Sequence, residues 1–183
     1  LLARLKENPP DVVQEQVAWA LGELKAETAV AAMMPLVGVG TDKVSAVVAA
    51  ALGKIADPAA IPALRRPLEK INPSMPGTRR ECLKALRLLG ETETMRAAWR
   101  ILVDRIIPVP MMGPMHDASD TREEALRYLV ATGDTRIAGS LVKKIRESEP
   151  TTFSDVMSET FRSIGALGDA ATAEALLEAL EFT

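Results

Sequence analysis

Cysteine, histidine and aromatic residues are nearly missing from this 183-residue chain. The single cysteine, Cys82, excludes an internal disulfide framework and any cysteine-rich zinc site. The single histidine, His116, excludes a histidine-rich metal centre within the chain. Two Trp, one Tyr and three Phe are too few for a β-sandwich or barrel of this length, which spends aromatic and β-branched residues on its pleated faces. No apolar run approaches the roughly 18 to 20 residues that span a bilayer, so no membrane segment is expected. The opening Leu1-Leu2-Ala3-Arg4-Leu5 has no initiator Met and no signal-peptide pattern, which fits a piece of a longer array. One unpaired cysteine is compatible with a reducing compartment such as the cytoplasm, without requiring one.

Alanine and leucine are plentiful instead, 28 and 21 residues, and both are strong helix formers. The formal charge is −3 and the pI about 5.4, which disfavours indiscriminate coating of nucleic acid.

Self-similarity organises the chain. Ala51-Leu52-Gly53-Lys54-Ile55-Ala56-Asp57-Pro58-Ala59-Ala60-Ile61-Pro62-Ala63-Leu64 serves as a template, echoed around Leu21, Leu86, Leu129 and Ile164. Four residues before this leucine column stand Val17, Val48, Cys82, Ala125 and Thr160; eight before stand Val13, Val44, Thr78, Thr121 and Val156. Steps of four and eight place these residues on one packed helical stripe. The turn residues Asp57, Glu91, Asp134 and Asp169 are acids suited to accept hydrogen bonds from the start of a second helix; repeat one has Ala26 there. Helices are expected near 11–24, 28–38, 42–55, 58–71, 78–89, 92–107, 120–132, 135–147, 152–166 and 170–181. Thr78 and Thr121 open capping-box sequences, and Pro62 and Pro67 are expected to bend or tighten the 58–71 helix. The segment 108–119 is an insertion without convincing strands.

The A-L-G-x-I-x-D-P-x-A-I-P-x-L core resembles HEAT repeats, in particular the short type called PBS-lyase HEAT-like. Arg87 and Val130 replace the inner glycine in repeats three and four. The resemblance implies an all-α, right-handed α-α superhelix: a single solenoid domain over 1–183 with repeats near 11–38, 42–71, 78–107, 120–147 and 152–181. It also implies that the second helices line a concave face.

Catalytic constellations are scarce. Cys82 falls in the buried column, which argues against a nucleophile paired with His116. Met111, Met112, Met115 and His116 offer soft ligands suited to Cu(I), but equally an adaptable contact patch or a plain loop. No cofactor is implied. Nine residues past the turn residue stand Arg66, Arg100 and Lys143, a cation in one register on three successive second helices. Arg65, Arg96 and Arg146 add to this row, and Trp99 beside Arg100 is a contact candidate, because aromatics dominate interface energetics. Trp19 is expected to cover a junction between repeats.

These features point to a non-catalytic scaffold binding a protein or peptide partner, an acidic one included, on the concave face. End-to-end contact through an exposed N-terminal repeat is a further expectation, with Leu1, Leu2 and Leu5 partly exposed. The alternatives are a HEAT-like enzyme related to the phycobilin lyases and, less favoured, a nucleic-acid-binding HEAT-like glycosylase, for which Trp99, Arg100 and Asp104 loosely qualify.

Overall fold

The computed structural model describes residues 1, 3–4, 9–69, 74–103, 107–109, 113–115 and 119–133. The chain divides into two compact units, Leu1–Ala97 and Ala98–Thr183. The second helix of repeat four, all of repeat five, and Leu2, Leu5, Asp104, Met111, Met112 and His116 lie outside the described residues.

The described residues form seven α-helices. They are α1 (Asp11–Glu23), α2 (Val30–Met33), α3 (Asp42–Ile55), α4 (Ile61–Glu69), α5 (Pro76–Leu88), α6 (Met95–Val103) and α7 (Ser119–Ala131). In the first unit the long first helices α1, α3 and α5 pack in succession, and α4 packs against α5. The column residues make the core: Leu21, Leu52 and Leu86, with Val17, Val48 and Cys82, are all buried.

The inner glycine sets the closeness of this packing. A Cβ on Gly22 would lie 2.8 Å from both Cα and Cβ of Ala51. One on Gly53 would lie 2.8 Å from Ala85 Cβ and 3.0 Å from its Cα. Each glycine therefore lets its helix touch the alanine that precedes the next column leucine. This seam recurs at both junctions between first helices in the unit.

A second device ties the helix starts together. Thr41 caps α3 by accepting the Val44 N–H at 3.4 Å, and its hydroxyl donates to Asp11 at 3.1 Å. Asp42 in turn accepts the Gly77 N–H at 2.9 Å, the Thr78 N–H at 2.7 Å and the Thr78 hydroxyl at 2.8 Å. Free N–H groups at a helix start need such acceptors. For α5 the acceptor comes from the preceding repeat.

The capping-box expectation is therefore corrected. Helix α5 begins at Pro76 and α7 at Ser119, so Thr78 and Thr121 lie inside their helices rather than capping them. A proline at the first helical position loses nothing by lacking an N–H, which allows the earlier start of α5.

The expected 28–38 helix is also corrected. It is broken into a 3-10 turn (Glu27–Ala29), the one-turn α2 and a second 3-10 turn (Met34–Leu36). Pro35 removes a donor and crowds the turn before it, which favours a break at this point. The 58–71 segment starts as a 3-10 turn (Pro58–Ala60), with Asp57 accepting the Ala59 N–H at 2.9 Å, and α4 then continues as α-helix through Pro62 and Pro67, where tightening was expected.

The insertion is not free of strands. Residues Ile107–Val109 and Gly113–Met115 form an antiparallel pair, with Ile107 opposite Met115 and Val109 opposite Gly113. These strands pair with each other between α6 and α7, so they decorate a connection and replace no repeat helix.

Candidate functional site

The cation row on the second helices begins at Arg65 and Arg66 of α4. The half-buried Arg65 guanidinium donates to Glu91 at 2.5 Å and to Glu93 at 2.8 Å. The Glu91 side chain is only 3% exposed. Its other bonds accept the Glu93 N–H at 2.5 Å and the Thr94 hydroxyl at 2.7 Å. Glu91 thus takes up an N–H of the turn, two residues before α6 begins at Met95, rather than one at the helix start as expected, and also receives a cation from the preceding repeat. Hydrogen bonding to Glu91 is the largest effect holding the Arg65 pKa above its ordinary value.

Arg66 turns toward the other neighbour. Its guanidinium donates to the carbonyls of Val37 at 2.5 Å and Met34 at 3.4 Å. Both carbonyls lie at the end of repeat one's second helix, whose last turn closes at Leu36. Both arginines therefore brace adjoining repeats, Arg65 forward and Arg66 backward.

On α6 the arrangement differs. Arg96 is exposed and makes no hydrogen bond or ion pair among the described residues, whereas Trp99 and Arg100 are half-buried and Arg100 is engaged. Lys143 and Arg146 lie outside the described residues. The boundary between the two units falls within α6, after Ala97.

Cys82 is fully buried, and desolvation pushes its thiol well above the usual range. This environment suits a core residue and suppresses the thiolate that a nucleophile needs. Among the described residues there is no cluster of three or more His, Cys, Asp and Glu side chains placed to hold a metal ion. No helix among them is long and apolar enough to cross a membrane.

Two features escape a pattern-based reading. Arg79 and Arg122 are buried, at 2% and 7% exposure, and Glu124 is buried at 4%. The signal was positional: both arginines stand seven residues before the column leucine, on the core side of an otherwise charged helix. The second feature is Trp19, which does not cover a junction as expected. It is 55% exposed; in the later repeats the same register holds half-buried Ala50 and exposed Lys84 and Arg127.

Residues 1–87 match the family model for HEAT repeats. No curated protein matches the chain in sequence. Among solved structures, the chain is similar to one from the complex of CpcE and CpcF of phycocyanin lyase from Nostoc sp. PCC7120, with a TM-score of 0.63 and 24% identity. That match covers 91% of this chain and 64% of the other, so this chain spans less than two thirds of the structure it matches. At this identity the likeness concerns the fold.

Proposed function

We propose, from the premise that this is a HEAT-repeat protein, that it is a binding scaffold for a protein or peptide partner. The observation that carries the reading is the division of labour among the cations of its second helices. Arg65 and Arg66 are committed to bracing adjoining repeats, while Arg96, one repeat further on, is exposed and makes no hydrogen bond or ion pair among the described residues. A long exposed cationic side chain suits recognition of an acidic group. Trp99, one turn away on the same helix, supplies the aromatic surface that anchors such contacts. Arg100, Lys143 and Arg146 extend this set by register, with Arg65 and Arg66 holding the wall rather than meeting the partner. The similarity to a structure of a two-protein complex supports a protein as the partner.

The test is affinity capture from the source cell with the intact chain and with Arg96→Glu, Trp99→Ala and Lys143→Glu combined. Loss of a defined protein from the triple variant, with helical content retained, supports the proposal. An unchanged set of captured proteins removes the α6 surface from it.

A second reading is favoured by the fold likeness itself: a component related to the phycobilin lyases. Change in the visible absorbance of a free phycobilin on mixing with the chain would favour this reading, and an unaltered spectrum would weigh against it. A whole-protein activity of this kind belongs to fold analogy alone.

A further inference from the structure

Two neighbouring first helices carry opposite outer surfaces. Helices α1 and α3 run side by side in one direction, since the pairs Asp11–Thr41, Glu15–Lys43, Gly22–Ala51 and Glu23–Lys54 follow the same order along both. The stripe opposite the buried column holds Val12, Trp19 and Glu23 on α1. On α3 the same stripe holds Lys43, Ala50 and Lys54, with Ala46 and Val47 between them. Bulk and acid on one helix thus stand beside small residues and base on the next. Trp19 is 55% exposed, while Ala50, in its register, is half-buried. The ion pairs Glu15–Lys43, at 2.7 Å, and Glu23–Lys54 border this patch toward its two ends.

This stripe does not face the place of a preceding repeat. Helices α3 and α5 each have a first helix packed ahead of them. Even so, the side chain of Lys43, in the register of Val12, is 76% exposed, and that of Lys84, in the register of Trp19, is 52% exposed. The flank that meets a preceding helix is the one bearing Ala20, the register in which Ala51 and Ala85 meet Gly22 and Gly53. A repeat stacked ahead of α1 would therefore leave Trp19 in the open.

We propose that this stripe is a self-complementary dimer interface, occupied by the same stripe of a second copy of the chain. A two-fold axis along the groove between α1 and α3 lays α1 of each copy over α3 of the other, running the same way and at the same level. Trp19 of each copy then seats on Ala50 of the other, beside Ala46 and Val47. Glu23 meets Lys54, and Val12 lies along the methylene stem of Lys43. The patch meets itself twice, which is the condition for a closed two-fold contact. An aromatic anchor inside a charged border suits a binding surface, and the facing acid and base fix the register. A different protein would have to match the acidic helix and the basic helix separately; a second copy matches both by symmetry. The surface uses no residue of α6, so the inference goes beyond the scaffold reading and its failure would leave that reading standing.

The experiment is sedimentation equilibrium of the full chain from about 1 μM to about 1 mM, with circular dichroism to check that each variant is folded. A reversible monomer–dimer equilibrium is expected, weakened about ten-fold or more by Trp19→Ala. Ala50→Trp should weaken it similarly by filling the seat. Trp19→Ala combined with Ala50→Trp should restore it, because anchor and seat then only exchange helices. Glu23→Lys alone and Lys54→Glu alone should each lose the dimer to facing like charges, and an equimolar mixture of the two should form a heterodimer. Trp19, Glu23 and Lys54 are exposed and Ala50 is half-buried, so these variants should keep their helical content. A chain that stays monomeric over the whole range overturns the proposal. So does association indifferent to Trp19→Ala, or a charge-variant mixture no stronger than its components. Capture of a different protein that Trp19→Ala abolishes, with the chain itself monomeric, would give the stripe another occupant and overturn it equally.

Discussion

Asp42, in the first turn of one repeat helix, holds the start of the next through Thr78. Its carboxylate accepts the Thr78 N–H at 2.7 Å and the hydroxyl at 2.8 Å, with the Gly77 N–H at 2.9 Å completing the set. Asp42→Ala should therefore destabilise the fold by about 1–3 kcal/mol, more than an ordinary surface substitution, because it strips acceptors from two helix-start donors. Asp42→Asn retains one acceptor oxygen and should recover part of the loss. Urea unfolding of the two variants checks this.

Arg65 and Glu91 couple adjoining repeats through a charge-assisted hydrogen bond on a nearly buried carboxylate. Arg65→Ala leaves Glu91 without that cation and is expected to cost about 1–3 kcal/mol. Arg66→Ala removes a donor to two carbonyls and is expected to cost about 1 kcal/mol. Neither variant should lose the captured partner while it remains folded, which separates bracing from recognition. Thermal unfolding together with the capture assay reads both quantities.

Burial holds the Cys82 thiol protonated far past its ordinary pKa of 9.0. The unfolded chain, in contrast, releases this proton above pH 9.0. The native state then binds more protons than the unfolded state, so this residue's contribution is intact below pH 9.0 and is lost as pH rises. The expected slope is up to ~1.4 kcal/mol per pH unit. Urea titrations between pH 8 and pH 10.5 should show that slope and its reduction in Cys82→Ala. At pH 8 the native thiol should also resist alkylation and react on unfolding.

The repeat was legible in the sequence because burial repeats with it: Leu21, Leu52, Leu86 and Leu129 are all buried, as are the residues four positions earlier. The partner of each inner glycine was not legible. Gly22 and Ala51 are brought together by helix packing, and nothing local to either announces the other. The start of α5 was misplaced at Thr78 because a capping-box pattern describes a local cap, whereas α5 receives its cap from Asp42 in another repeat.

The cation row shows the same boundary between local and tertiary information. Register alone aligned Arg66 with Arg100 and Lys143. It gave no sign that the first repeat's second helix would end at Leu36 and leave the Val37 carbonyl to engage Arg66. The insertion at 108–119 showed its length but not its hairpin, since its strands are only three residues each.

The glycine–alanine seam is the element from which the stack follows, and a double-mutant cycle between positions 53 and 85 tests it most directly. Gly53→Ala alone should destabilise by about 1–3 kcal/mol through overpacking, despite alanine's better helix propensity. Adding Ala85→Gly, which removes the Cβ that Gly53→Ala would strike, should yield a favourable coupling of about 0.5–3 kcal/mol in urea unfolding. Strict additivity of the two substitutions, or a stabilised Gly53→Ala single variant, would contradict the packing of these first helices on one another.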